Sequence, residues 1–241
     1  MGEIKTFTTE FHWEQTHLKL QSDNPDVFDS VKSAVLHSRS LLEQYILTHP
    51  TFVTSLEPIE VDLNAPAFIR NMMSAGIKAG VGPMAAVAGG LAEISTTAMM
   101  IKGCKLALAE NGGDISIKGK QMVIIGASSG ENPIAKKIGF KIKPKDMPIG
   151  VCTSAGRVGH SISLGDADAV IVFSSSAFLS DAAATSIANV VNRTDPEGSI
   201  QKALERAESI EGITGCMAIC GGFIGICGRT PEMVQVLDSD V

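Results

Sequence analysis

The sequence predicts an α+β fold built on a mostly antiparallel or mixed sheet, and three observations carry that expectation. Strand-like segments come in several separate groups, few helical segments separate adjacent strands, and two helical stretches rich in Ala and Gly lie near the middle of the chain. A regular alternation of strand and helix, which would signal a parallel doubly wound sheet, is missing. At 241 residues the chain can bury a full core, and the expectation is one domain over residues 1–241.

Residues 4–21 alternate polar and apolar side chains, including Phe7, Phe11, Leu18 and Leu20, which predicts an antiparallel strand pair. Asp23-Asn24-Pro25 then starts a helix whose apolar positions, Val27, Phe28, Val31, Val35, Leu41, Leu42 and Ile46, recur at helical spacing until His49-Pro50 stops it. Residues 52–61 read as extended. A helix is expected over 65–79, and after Gly80-Val81-Gly82-Pro83 a longer one to about Glu110, so rich in Ala, Gly and Met that another backbone or a ligand can approach closely. Strands are expected over 115–118, 122–127, 150–153, 162–164 and 168–173. Helices follow over about 180–191 and 196–209, and a glycine-rich strand region over 215–228 closes the sequence, as core or as a subunit interface of a homo-oligomer.

The formal net charge of −6 and a pI near 5.4 leave no basic footprint for nucleic acid, and no Lys/Arg cluster is interleaved with aromatics. The N-terminal residues carry no apolar export segment, and the most apolar stretch, 81–108, is broken by Glu93, Lys102 and Lys105; the expectation is a cytoplasmic protein without a membrane span. Five cysteines are an odd number, so reduced thiols rather than a disulfide framework are expected. Cys216 and Cys220 share one face of a strand, where small buried residues are the ordinary reading and a metal or reactive pair the alternative.

Three polar clusters carry the chemistry. Asp181 and Thr185 lie one turn apart on the expected 180–191 helix, close enough to share a cation, and hard oxygen ligands favour Mg²⁺ or Ca²⁺. Placed at a helix start, they would also face an anion through free amides. The same residues fit a structural reading, with Ser180 as cap, Asp181 complementing the helix dipole and Thr185 bonding back to a carbonyl. Asn111-Gly112-Gly113-Asp114 reads as a helix end entering a strand, where glycine permits left-handed or close-approach backbone, or simply as a C-cap.

Thr153-Ser154-Ala155-Gly156 ends an apolar strand, with Arg157 and His160 just beyond; hydroxyls, a cation and an imidazole suit a phosphate and a proton, although a lone histidine is more often structural. Gly126-Ala127-Ser128-Ser129-Gly130 matches the nucleophile-elbow pattern of serine hydrolases. His160 nevertheless precedes Asp181, Asp146 is an untidy acid, and no β/α series surrounds the motif.

In this order the three clusters resemble the ApbE family, flavin transferases that move FMN from FAD onto a threonine of an acceptor protein. The resemblance runs from about Gly80 to Asn189: residues 111–114 look like the family's N-x-G-G-D/N turn, 153–160 like its T-S-G-x…H segment, and 181–185 like its D-A-x-A-T helix. Residues 84–93 resemble its A-K-G-x-A-x-D element, with Gly89 in place of the lysine, and Ser161 to Gly165 replace its D-P-x-T-G run. The resemblance implies a T-fold-like architecture, with Asp181 and Thr185 as Mg²⁺ ligands and Asp181 and His160 in catalytic roles. Asn111, Gly112, Gly113, Asp114, Thr153, Ser154 and Gly156 would line the site for FAD as ligand or substrate. A nucleotide ligand and an acceptor or redox protein are the implied partners. The short cytoplasmic branch of this superfamily also implies an alternative, a non-transferase role in sulfur assimilation toward homocysteine or as a flavin-binding accessory protein.

Overall fold

The computed structural model describes residues 5–126, 138–156 and 165–236. Within them the chain runs β1 (Phe7–Trp13), β2 (Thr16–Ser22), α1 (Phe28–Thr48), α2 (Thr51–Thr54), α3 (Ala67–Ala79) and α4 (Val87–Ile101). It continues through β3 (Leu106–Asn111), β4 (Asp114–Gly119), β5 (Val123–Gly126), β6 (Ile138–Ile142), β7 (Ile149–Ser154) and β8 (Ala169–Ser174). The elements α5 (Ala177–Ala188), α6 (Pro196–Glu208), β9 (Ile213–Cys220), β10 (Phe223–Gly228) and β11 (Glu232–Gln235) complete it.

Eight strands make one sheet in the order β1-β2-β3-β4-β7-β8-β9-β10, and every neighbouring pair in it is antiparallel. Strand alternation sorts its residues onto two faces. Leu18, Leu20, Ala107, Ala109, Val170, Val172, Cys216 and Ala218 pack against the helices, where the small alanines let α4 and α5 settle close to the sheet. Leu108, Ile115, Ile117, Val151, Ile171, Phe173 and Met217 form the other face, covered by a three-stranded sheet, β11-β6-β5, through Ile125, Phe140 and Ile142.

The α+β class and the antiparallel sheet expected from the sequence are present. The helix expected to run to about Glu110 is shorter: α4 ends at Ile101, and residues 106–111 are strand β3. The reason is burial on both faces, which makes Leu106 to Ala109 an apolar run of Ala and Leu without the polar/apolar alternation that marks a half-buried strand. Residues 52–61, expected as extended, begin with the single helical turn α2. Strands β6 and β11 were not expected, and the strand anticipated over 162–164 lies outside the described residues.

The start of α1 follows the sequence closely, since the Asn24 side chain accepts from the Asp26 N–H at 3.0 Å and Pro25 opens the 3₁₀ turn that leads into the helix. Pro83–Ile101 is long and apolar enough to cross a bilayer by length and composition. In the fold α4 supplies buried Leu91, Ala92 and Met99 to the helix-side core. The glycine-rich end divides in two: β9 is core from Gly215 to Cys220, whereas the edge strand β10 exposes Phe223, Ile224 and Ile226.

One strand departs from the apolar rule. The helix-facing side of β4 carries Asp114, Ser116 and Lys118; Ser116 Oγ lies 2.8 Å from Thr96 Oγ1, and Lys118 Nζ donates to Thr97 Oγ1 at 2.7 Å. Polar groups cost free energy when buried without partners, so this row marks where the core gives way to a site.

Candidate functional site

The first cluster forms a hairpin turn between β3 and β4, not the end of a helix. Asn111 and Asp114 are register partners, and the two glycines between them have φ of 65° and 104°, the positive values that a tight two-residue hairpin favours. A side chain at Gly112 would meet open space. Asn111 is committed internally: its Oδ1 accepts from the His17 N–H at 3.1 Å and its Nδ2 donates to the Ala88 carbonyl at 3.2 Å, tying β2 to the start of α4. The role of holding a ligand expected for Asn111 therefore competes with two structural bonds.

Asp114 begins β4 opposite Cys152 of β7. Its carboxyl faces the Cys152 thiol, which donates to the Ala177 carbonyl at 3.5 Å, and the Thr153 N–H, while its Oδ1 is buried without a hydrogen-bond partner. Strand parity places the Thr153 side chain with Ile149 and Val151 on the opposite face, so Thr153 contributes its amide; Ser154 is buried on the same face as Cys152.

Asp181 and Thr185 are both buried on α5, one turn apart. The helix starts at Ala177, earlier than expected, so Asp181 sits inside it instead of at its N-terminus, and Ser180 does not cap it. Ser180 Oγ donates to the Gly150 carbonyl at 3.1 Å. The free amides at the start of α5 are taken by Glu93 of α4, whose Oε2 accepts from Ala177 N–H at 2.7 Å, Phe178 N–H at 3.5 Å and Ser176 Oγ at 2.8 Å. Asp181 in turn accepts from Gly89 N–H at 2.8 Å and from the Ala88 amide, in the first turn of α4. The segment 84–93 thus presents N–H groups to Asp181, and the Ala88 carbonyl is bonded to Asn111. Gly89 is required by this packing, because a Cβ there would lie 2.3 Å from the Ala177 carbonyl oxygen.

The electrostatics follow from burial. Desolvation, and then the negative charge of Asp181, push the Asp114 carboxyl well above the ordinary carboxylate range. Burial likewise raises Asp181 to about 7, against the lowering effect of the Gly89 and Ala88 amides. Cys152 is pushed up by burial and by both carboxylates. Among the described residues neither carboxylate forms an ion pair with Lys, Arg or His. Two close buried carboxyls with an unpartnered oxygen need a proton or a cation between them. No group of three or more His, Cys, Asp or Glu side chains at metal-holding spacing occurs among the described residues. A hard ion such as Mg²⁺ takes few protein ligands and keeps water or phosphate in its shell.

Gly156 is explained by packing: its N–H donates to the Ala167 carbonyl at 3.0 Å, and a Cβ would fall 1.9 Å from the Gly165 carbonyl oxygen. His160 and the hydrolase candidate Ser128 lie outside the described residues. Asp146 accepts from the Lys143 N–H at 3.0 Å in a local 3₁₀ turn. An open cavity of about 550 Å³, lined by Lys5, Gln21, Leu106 and Gln121 among others, contains none of these site residues.

Sequence reasoning missed two participants, Cys152 and Glu93. Cys152 could have been found by strand parity, since it occupies the helix-facing position beside Ser154; Glu93 gave a weaker signal, as a lone acid inside an apolar helix.

The family model described as AbpE bacteria matches residues 3–226. A UPF0280 protein of Methanococcus maripaludis is 41% identical over 242 residues, spanning 99% of this chain and 97% of its own. A UPF0280 protein of Methanocaldococcus jannaschii is 42% identical over 226 residues, spanning 92% and 91%. The ApbE protein of Thermotoga maritima has a similar fold, with a TM-score of 0.59 at 12% identity, covering 92% of this chain and 96% of that one. The flavinyl transferase ApbE of Pseudomonas stutzeri, in its apo form, gives 0.55 at 11% identity, covering 94% and 96%.

Proposed function

The chain belongs to the AbpE bacteria family, and from that premise we propose that it binds a flavin dinucleotide such as FAD through a divalent cation and cleaves or transfers the FMN part. The observation that carries this reading is the buried pair Asp114 and Asp181, with Asp114 Oδ1 unpartnered and no basic side chain to neutralise it among the described residues. The donor set fits Mg²⁺: Asp181, Thr185 and Asp114 would hold it, with a backbone clamp already fixing Asp181. Bound there, the ion would neutralise charge on a diphosphate.

The chain's own groups do the rest. Gly89 and Ala88 hold the Asp181 carboxylate in one orientation, and Thr153 N–H does the same for Asp114. The open turn at Gly112 leaves room for a ligand beside Asp114, and His160 is the proton carrier of this reading. The flavin itself is supported by the fold shared with flavin transferases.

Calorimetry of FAD binding with and without Mg²⁺, with AMP release assayed in the same sample, tests the proposal. Mg²⁺-dependent binding with AMP release supports an enzyme. Binding without release limits the activity to holding the flavin or to transfer onto a missing acceptor protein, and absence of binding removes the flavin reading.

A further inference from the structure

On the cross-strand row that runs from Asp114 through Cys152 and Val172, β9 and β10 set Cys216 directly opposite Cys227 in antiparallel register, on the helix-covered side of the sheet. Opposed residues on such strands have Cα atoms about 4.5–5.5 Å apart, within the roughly 4.4–6.8 Å that a disulfide spans. The two thiols are hydrogen-bonded to each other but differ in access. Cys216 is fully buried, whereas Cys227 is partly exposed on the edge strand, its Sγ 3.9 Å from the Leu204 carbonyl.

We propose that Cys216 and Cys227 form a thiol–disulfide exchange site that takes a low-molecular-weight disulfide as its oxidant and closes reversibly into an intramolecular disulfide. The Cys227 thiolate attacks one sulfur of the external disulfide; a Cys227–S bond forms, the S–S bond breaks, and one thiolate leaves. Cys216 then loses its proton and attacks Cys227, expelling the second thiol. Two protein thiols are oxidised, one external disulfide is reduced to two thiols, and excess thiol reverses both steps.

The local chemistry favours this order. The hydrogen bond from Cys216 lowers the Cys227 thiol to about 7, against burial and the Glu208 carboxylate, while Cys216 is held protonated by that same bond and by burial. The other thiols are placed differently. Cys104 accepts from Ser22 Oγ at 3.1 Å, Cys152 faces Asp114, and Cys220 is raised by burial and by Asp168.

The test treats the full native chain with oxidised glutathione at neutral pH, alkylates the remaining thiols, and maps the peptides. A Cys216–Cys227 linkage, reversed by reduced glutathione, is the expected product. In Cys216→Ser, glutathione stays on Cys227 as a mixed disulfide; in Cys227→Ser, neither product forms. A different cysteine pair, or five free thiols throughout, overturns the proposal. Because a substitution at buried Cys216 can disturb folding, the wild-type chain gives an independent readout. Brief iodoacetamide treatment should label Cys227 about tenfold faster than any other cysteine, and faster labelling elsewhere overturns the assignment equally.

Discussion

Asp181 caps the helix that carries Glu93, and Glu93 caps the helix that carries Asp181. The Asp181 carboxylate receives Gly89 N–H at 2.8 Å in the first turn of α4, and the Glu93 carboxylate receives Ala177 N–H at 2.7 Å at the start of α5. Each acid satisfies orphan amides of its neighbour and complements the positive end of that helix dipole. The two helices are locked to one another by the same residues that set the position of the site.

Glu93→Ala is expected to destabilise the protein by about 1–2 kcal/mol, the usual cost of losing a helix cap. Urea denaturation followed by circular dichroism would measure it. A change within experimental error would mean that Ser176 and water take over the amides without loss.

For Asp181→Asn the expectations point in opposite directions. The amide oxygen can still accept from Gly89 N–H, while the charge that repels Asp114 is gone, so the metal-free variant should equal or exceed the wild type in stability at pH 8. Divalent-cation binding, read by calorimetry with Mg²⁺ or Mn²⁺, should fall at least about tenfold. Retained binding would remove Asp181 from the ligand set.

The same pair sets a pH dependence. Because burial raises the folded-state carboxyls, the native state binds more protons than the unfolded chain between the ordinary value of 3.8 and about 7 for Asp181. Stability that is present at the acid end of this window is lost as the pH rises through it, by up to about 1.4 kcal/mol per pH unit for one proton. Melting temperatures of metal-free protein from pH 5 to 8 should decline more steeply for the wild type than for Asp181→Asn. Parallel curves would show that the carboxyl titrates alike in both states.

Gly89→Ala tests the close crossing of α4 and α5. With the new Cβ 2.3 Å from the Ala177 carbonyl oxygen, the helices must separate, at an expected cost of about 1–3 kcal/mol despite the better helix propensity of alanine. Chemical denaturation gives the value, and a stabilised variant would contradict the crossing.

Much of this arrangement was legible in the sequence because it depends on local signals. The Asn24-Pro25 start of α1, the alternation in β2 and the one-turn spacing of Asp181 and Thr185 are short-range patterns that survive in the fold. What escaped depends on contacts across the molecule. Strand β3 was hidden because both its faces are buried, and the true start of α5 was hidden because its cap, Glu93, comes from another helix. Strand parity turns Cys152 to the same face as Ser154, but its pairing with Asp114 is a register set across the sheet.

The excursion between β4 and β7 has a consequence for truncation. The chain leaves the large sheet after Gly119 and rejoins it where Ile149 pairs with Ile117, so shortening this segment could preserve the ladder that holds Asp114 against Cys152. Its strands β5 and β6, with β11, nevertheless form the sheet that covers Ile117, Val151, Ile171 and Phe173. Removing that cover would leave the site's scaffold intact on one side and a broad water-facing apolar sheet on the other, which would make the shortened chain insoluble before it became inactive.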